Sequence, residues 1–108
     1  MVKRGDIILV SLDPVLGSEQ GKTRPAIVIQ HDALNKTSNT TIIVPITSKI
    51  YDKEYPMHVQ IYREKIKGTI KTEQIRAIDM QRIVKVIDSV DNKTLLRIGY
   101  ALKNTCNF

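Results

Sequence analysis

At 108 residues the chain can bury one modest core and is too short for two, so a single domain over residues 1–108 is expected. Apolar residues make up 42% of it with charge dispersed throughout, which argues for an ordered globular protein and against a disordered tail. Seventeen Lys and Arg against eleven Asp and Glu leave a net charge of +6, which favours a polyanion or an acidic protein partner and by itself selects neither. No apolar run approaches the roughly eighteen residues that mark a membrane-spanning helix, and Lys3, Arg4 and Asp6 do not open a secretory signal, so a cytoplasmic location is expected.

The elements read in chain order as mainly β. Ile7-Ile8-Leu9-Val10, Ala26-Ile27-Val28-Ile29 and Thr41-Ile42-Ile43-Val44 are short β-branched runs bounded by Gly, Pro, Asn or Asp, the signature of strands. Residues His31 to Asn39 predict a loop with a helical turn, and Ser48 to Pro56 a second loop. Met57-His58-Val59-Gln60-Ile61 alternates apolar and polar side chains, as a strand buried on one face does, and Gly68 to Thr72 predicts a fifth strand. Glu73-Gln74-Ile75 suits one helical turn, while Arg76 to Asp79 and Ile83 to Ile87 add two extended segments. The period then changes: Leu95, Ile98 and Leu102 recur at three- and four-residue steps behind Asp91 as N-cap, with Lys103 near the far end, which predicts a terminal amphipathic helix. Many short strands and one packed helix predict an SH3-like barrel of curled antiparallel sheet with a C-terminal α-helix.

Metal chemistry finds no support in the pattern: His31 and His58 stand alone, no pair of His, Cys, Asp or Glu has ligand spacing on a recognisable element, and no cofactor is expected. Cys106 has no partner for an intrachain disulfide and reads as a surface thiol. Gly21-Lys22-Thr23 resembles the tail of a phosphate-binding loop, but Gly17 falls one position short and an apolar strand follows where a helix is required. The more informative segment is Gly17-Ser18-Glu19-Gln20-Gly21-Lys22-Thr23-Arg24-Pro25, a polar loop with one carboxylate and one guanidinium that runs into a strand. Its glycines allow turns, and Pro25 biases Arg24 toward extended backbone, placing it at the strand's mouth. Pro45-Ile46-Thr47-Ser48 sets hydroxyls where another strand leaves the sheet, and two strand ends can converge on one cleft.

Lys3-Arg4-Gly5-Asp6, Gly17-Ser18-Glu19-Gln20-Gly21, Arg24-Pro25, Pro45-Ile46-Thr47 and Glu73-Gln74-Ile75-Arg76-Ala77-Ile78-Asp79, in this order and at these spacings, resemble the MazF/PemK family of toxin endoribonucleases over nearly the whole chain. The resemblance implies metal-independent cleavage of single-stranded RNA. In that chemistry the 2′-hydroxyl attacks the adjacent phosphate and leaves a 2′,3′-cyclic phosphate and a 5′-hydroxyl. Such a reaction needs a route for the 2′-hydroxyl proton, positive charge for the pentacoordinate phosphorus and help for the departing 5′-oxygen. By resemblance Arg24 and Thr47 are the catalytic pair and Glu19 assists. Arg24 grips phosphate oxygens bidentately and stays charged at any working pH, Thr47 hydrogen-bonds a phosphate oxygen, and Glu19 either accepts the 2′-hydroxyl proton or screens charge. Without the resemblance, Arg24 is one of seventeen basic side chains on a solvated surface and Thr47 an ordinary β-former before a turn.

RNA contact is assigned to Ser18, Gln20, Lys22, Ser48, Tyr51, Tyr55, Gln74 and Arg76. Tyr51 and Tyr55 are candidates for stacking on bases and equally for packing in a core or interface, and Gln74 and Arg76 suit either RNA bases or a dimer partner. The resemblance further implies a homodimer and a small acidic antitoxin of the MazE kind, whose disordered tail folds across a basic cleft. Two other readings share the barrel: a CcdB-like toxin that poisons gyrase by protein contact, for which Tyr100 and Phe108 on the terminal helix matter more than Arg24, and a non-catalytic nucleic-acid-binding module.

Overall fold

The computed structural model describes residues 1–11 and 23–108. Among these residues seven strands form one antiparallel sheet: β1 (Asp6–Ser11), β2 (Thr23–Val28), β3 (Thr40–Thr47), β4 (His58–Tyr62), β5 (Lys67–Lys71), β6 (Arg76–Asp79) and β7 (Ile83–Ser89). The path runs β4-β5-β3-β2-β1-β7, with β6 added on β3. A four-residue helix α1 (Asp32–Asn35) precedes β3, 3-10 turns at Thr72–Gln74 and Met80–Arg82 flank β6, and α2 (Asn92–Cys106) closes the chain.

β3 is the corner of the sheet. Its first half pairs with β6 (Thr40↔Asp79 through Ile43↔Arg76), its middle with β2 (Ile43↔Val28 through Pro45↔Ala26), and its end with β5 (Ile46↔Ile70, Thr47↔Thr69). One strand serving three neighbours forces the sheet to bend along it. Register shifts in the β1–β7 ladder, between Ile7 and Ile8 and between Leu9 and Val10, add curvature of the kind bulges impose. The curl is that of the expected barrel, but β4 and β7 share no ladder; side chains cross that side instead. Arg63 Nε donates to Asp88 Oδ2 at 2.9 Å and Arg63 Nη2 to Asp88 Oδ1 at 3.3 Å.

Curling leaves an apolar cluster on each face. Ile7, Ile27, Val44, Ile46, Val59, Ile61 and Ile70 pack under α2, which contributes Leu95, Ile98 and Ala101 at helical spacing, with Leu102 packed beside them. Alternate residues of the same strands, Ile8, Val10, Ala26, Val28 and Ile43, form the second cluster with Val2 and Ile78. Apolar residues on both faces explain why β1 and β2 read as continuous hydrophobic runs instead of alternating ones. The expected cap of α2 is present: Asp91 Oδ1 accepts from the Thr94 N–H at 2.9 Å. Asn107 ends the helix at φ 57°, in the left-handed region that asparagine tolerates better than most residues. At the Ile29–Asn39 connection a buried network replaces apolar packing. Thr41 Oγ1 donates to Asn35 Oδ1 at 2.7 Å, Gln30 Nε2 to the same oxygen at 3.0 Å, and Asn35 Nδ2 to the Gln30 carbonyl at 2.9 Å. His31 is accounted for locally, its Nδ1 accepting from the Ala33 N–H at 3.0 Å to cap α1.

Three carboxyls titrate below their ordinary range for local reasons. Asp88 is held down chiefly by the Arg63 guanidinium and then by the Ser89 N–H, Asp91 by the backbone and side chain of Thr94, and Asp32 by the Arg4 N–H and then Asn35. A depressed folded-state value means that the unfolded chain takes up protons first as pH falls. The stabilisation is therefore complete above the ordinary carboxylate value near 3.8 and is lost below it, as each folded group titrates. Urea midpoints measured from pH 5 down to about pH 2 should fall, and Asp88→Asn should make that fall shallower. An unchanged acid limb in the variant would show that the Arg63–Asp88 pair plays no part in it.

Candidate active site

The local chemistry of two prolines opens the main cleft. The β2–β3 ladder stops at Ala26↔Pro45, one residue after Pro25, and neither Pro25 nor Pro45 has an N–H to donate. Past this point β2 stays with β1, pairing Arg24 with Val10 and Thr23 with Ser11, while β3 turns to β5. The strands diverge, and Arg24 and Thr47 line opposite walls of the resulting cleft of about 530 Å³ with Thr23, Ser48 and Gln74. Both catalytic candidates lie slightly deeper in regular structure than the pattern indicated: Arg24 is the second residue of β2, and Thr47 the last of β3.

Thr47 is half-buried, and its Oγ1 accepts from the Lys49 N–H at 3.3 Å. Receiving that bond leaves the hydroxyl proton free to donate into the cleft. Arg24 is exposed, so its guanidinium is open to a ligand in the cleft. The backbone of Thr47 is fixed from behind by Gly68, whose φ is +159° and where a Cβ would overlap the Thr47 carbonyl oxygen. Lys65, Lys67 and Lys71 complete the lining, so the described wall carries four cationic side chains and no carboxylate. Sequence reasoning passed over these lysines. Their one signal was the even spacing of Lys67 and Lys71, which puts both on the same face of a strand.

The remaining candidates divide. Ser48 and Gln74 line the cleft, Gln74 being presented by the 3-10 turn that the sequence anticipated. Arg76 lies exposed on β6 and is not part of the lining. Tyr51 and Tyr55 line a second cleft of about 220 Å³ with His58, Gln60 and Arg97. There the Tyr51 and Tyr55 rings meet edge to face at 5.7 Å, and His58 lies 4.7 Å and 5.1 Å from them. His58 Nε2 is 2.9 Å from Glu73 Oε2, which ties this aromatic cluster to the residue preceding Gln74. Ser18, Glu19, Gln20 and Lys22 lie outside the described residues. Among the described residues no group of three or more His, Cys, Asp or Glu is placed to hold a metal ion.

A curled antiparallel sheet with one packed helix and a cationic cleft between diverging strand ends defines the class: a small β protein whose site suits a polyanion. Residues 3–105 match the family of the PemK-like, MazF-like toxin of type II toxin-antitoxin systems, and the chain belongs to that family. It is 41% identical over 107 residues to endoribonuclease EndoA of Bacillus subtilis strain 168, spanning 95% of this chain and 92% of the relative. To endoribonuclease MazF of Staphylococcus saprophyticus it is 39% identical over 106 residues, 94% and 88% of the two chains. Its fold is similar to a chain of the MazE-MazF crystal structure (Form-II) from Deinococcus radiodurans, with a TM-score of 0.84 at 23% identity over 99% of this chain and 96% of that one.

Proposed function

We propose that this protein is the toxin of a toxin–antitoxin pair, a single-domain, cytoplasmic, sequence-selective endoribonuclease that cuts single-stranded RNA without a metal ion. The observation that carries the reading is the meeting of Arg24 and Thr47, from strands that part at Pro25 and Pro45, on one cleft whose described walls hold cations and no acid. Relatives that share about two-fifths of its residues carry the name endoribonuclease.

In this reading the scissile phosphate sits between the two walls. Arg24 neutralises the charge that builds on the equatorial oxygens of the phosphorane, and Thr47 donates its free hydroxyl proton to one of them and holds the phosphorus in line. The 2′-hydroxyl attacks, its proton leaving toward Glu19, which acts as the base or screens charge around the base that does. The 5′-oxygen departs protonated. An alkoxide is basic enough to draw a proton even from so weak an acid as a guanidinium, so Arg24 serves the leaving group as well. Ser48 and Gln74 contact the strand beside the scissile bond. Ser18, Gln20 and Lys22 are further RNA contacts in this reading, and Tyr51, Tyr55 and Arg76 meet RNA farther from the reacting phosphate. The protein acts as a homodimer, and an acidic antitoxin blocks the basic cleft.

Incubation with a long RNA in EDTA, followed by mapping of the new ends, tests the proposal. Cuts that persist without metal and leave 5′-hydroxyls are expected; RNA left intact at micromolar protein would overturn it. That failure would favour gyrase contact through the exposed side chains Leu96, Tyr100 and Phe108 of the α2 region.

A further inference from the structure

The second wall of the cleft carries more positive charge than one scissile phosphate requires. Lys67 and Lys71 stand at the two ends of β5, and four residue steps of strand separate their Cα atoms by roughly 13 Å. Both line the Arg24–Thr47 cleft, with Lys65 at the entry to the strand. Lys65 is partly committed, its Nζ donating at 3.4 Å to the Ile87 carbonyl. Among the described residues Lys67 and Lys71 have no carboxylate within ion-pair distance; Asp88 is taken by Arg63, and Glu73 faces His58. Lys71 is half-buried and Lys67 exposed. A strand carrying several phosphates would supply a counter-charge at both lysines.

We propose that β5 is a backbone track: Lys67 and Lys71 each bind a phosphate of the RNA strand other than the one cleaved. The inference rests on the ribonuclease reading above. The track adds affinity without base selectivity, because an ammonium reads phosphate as a point charge.

The test is the salt dependence of binding to a 2′-O-methyl RNA, in which the nucleophile is blocked and cleavage cannot interfere. On a single strand each phosphate contact contributes about 0.7 to the slope of log affinity against log salt. Lys67→Gln and Lys71→Gln should each make the wild-type slope shallower by about that amount, Lys71→Arg should retain it, and Lys36→Gln, exposed outside the cleft, should leave it unchanged. Folding is checked by thermal unfolding of each variant. Slopes equal to wild type in both glutamine variants would overturn the track, as would an equal loss in Lys36→Gln, which would reduce the effect to net charge. A loss of affinity for poly-glutamate with the RNA slope unaltered would assign the lysines to an acidic protein instead and also overturn it. Wild-type protein that neither binds nor cuts RNA removes the ribonuclease reading itself, whereas cutting with unaltered slopes removes the track alone.

Discussion

Replacing Arg24 with alanine is expected to lower the single-turnover rate of RNA cleavage by about 10²–10³-fold or more, with the unfolding midpoint close to that of wild type. The size follows from the role: one preorganised donor aimed at charge that develops in the transition state is worth about 3–4 kcal/mol of barrier. The small structural effect follows from its position. Arg24 is exposed near the start of β2, beyond the point where the β2–β3 ladder stops, and its described backbone pairing is with Val10. The loss should fall mainly on kcat, because charge on the phosphoryl oxygens builds as the nucleophile attacks. Arg24→Lys keeps the charge but not the planar fork and should recover part of the rate. A binding module predicts weaker affinity and no catalytic step to lose, and a gyrase poison is indifferent to the change. Cleavage by Arg24→Ala within twofold of wild type would remove the proposed mechanism.

Gly68→Ala should damage the protein at a position that touches no substrate. Gly68 is buried beside the end of β3, and an added methyl would overlap the Thr47 carbonyl oxygen, with the carbonyl carbon at 3.0 Å and Ile46 Cγ2 at 3.3 Å. The obstacle is backbone held in a ladder, Thr47 being paired with Thr69, so it cannot rotate away as a flexible side chain would. Overpacking of this kind costs about 1–3 kcal/mol. The same push moves Thr47, and a misplacement of about 1 Å in a positioned group costs on the order of 10²-fold in rate. Urea unfolding combined with single-turnover cleavage, at a temperature where the variant is fully folded, measures both. Gly99→Ala is the comparison: nothing lies within 4 Å of the Cβ it would add, and relief of helical glycine should leave stability equal or raise it by about 0.5–1 kcal/mol. Equal stability and activity in the two variants would show that the close approach at Gly68 does not fix Thr47.

Short-range physics made most of the fold legible. Asp91 caps α2 as its spacing predicted, Val59 and Ile61 are buried on the alternating strand, and the turn expected at Glu73-Gln74-Ile75 forms one residue earlier, at Thr72–Gln74. Each depends on neighbours within a few residues in sequence. Pro25 and Pro45 were harder to place, since each marks a boundary when read alone. Only in the ladder does it emerge that both fall where β2 and β3 cease to pair, which continues the strands to Thr23 and Thr47 and parts them. Tyr51 and Tyr55 showed the opposite difficulty. Their sequence distance from Thr47 is short, yet the 48–57 connection carries their rings to His58 and a separate cleft.

Residue types and local periodicity therefore determined the element list, the amphipathic helix, the basic character and, through ordered short motifs, the family and its candidate pair Arg24 and Thr47. The tertiary structure decided which walls face each other. Lys67 and Lys71 joined the site because β3 changes partners from β2 to β5, bringing together segments more than forty residues apart in the chain. Sequence periodicity reports the face on which a side chain stands, since that is set by backbone geometry one residue at a time. The strand that lies opposite depends on where ladders end and sheets bend, which is a property of pairing between distant segments.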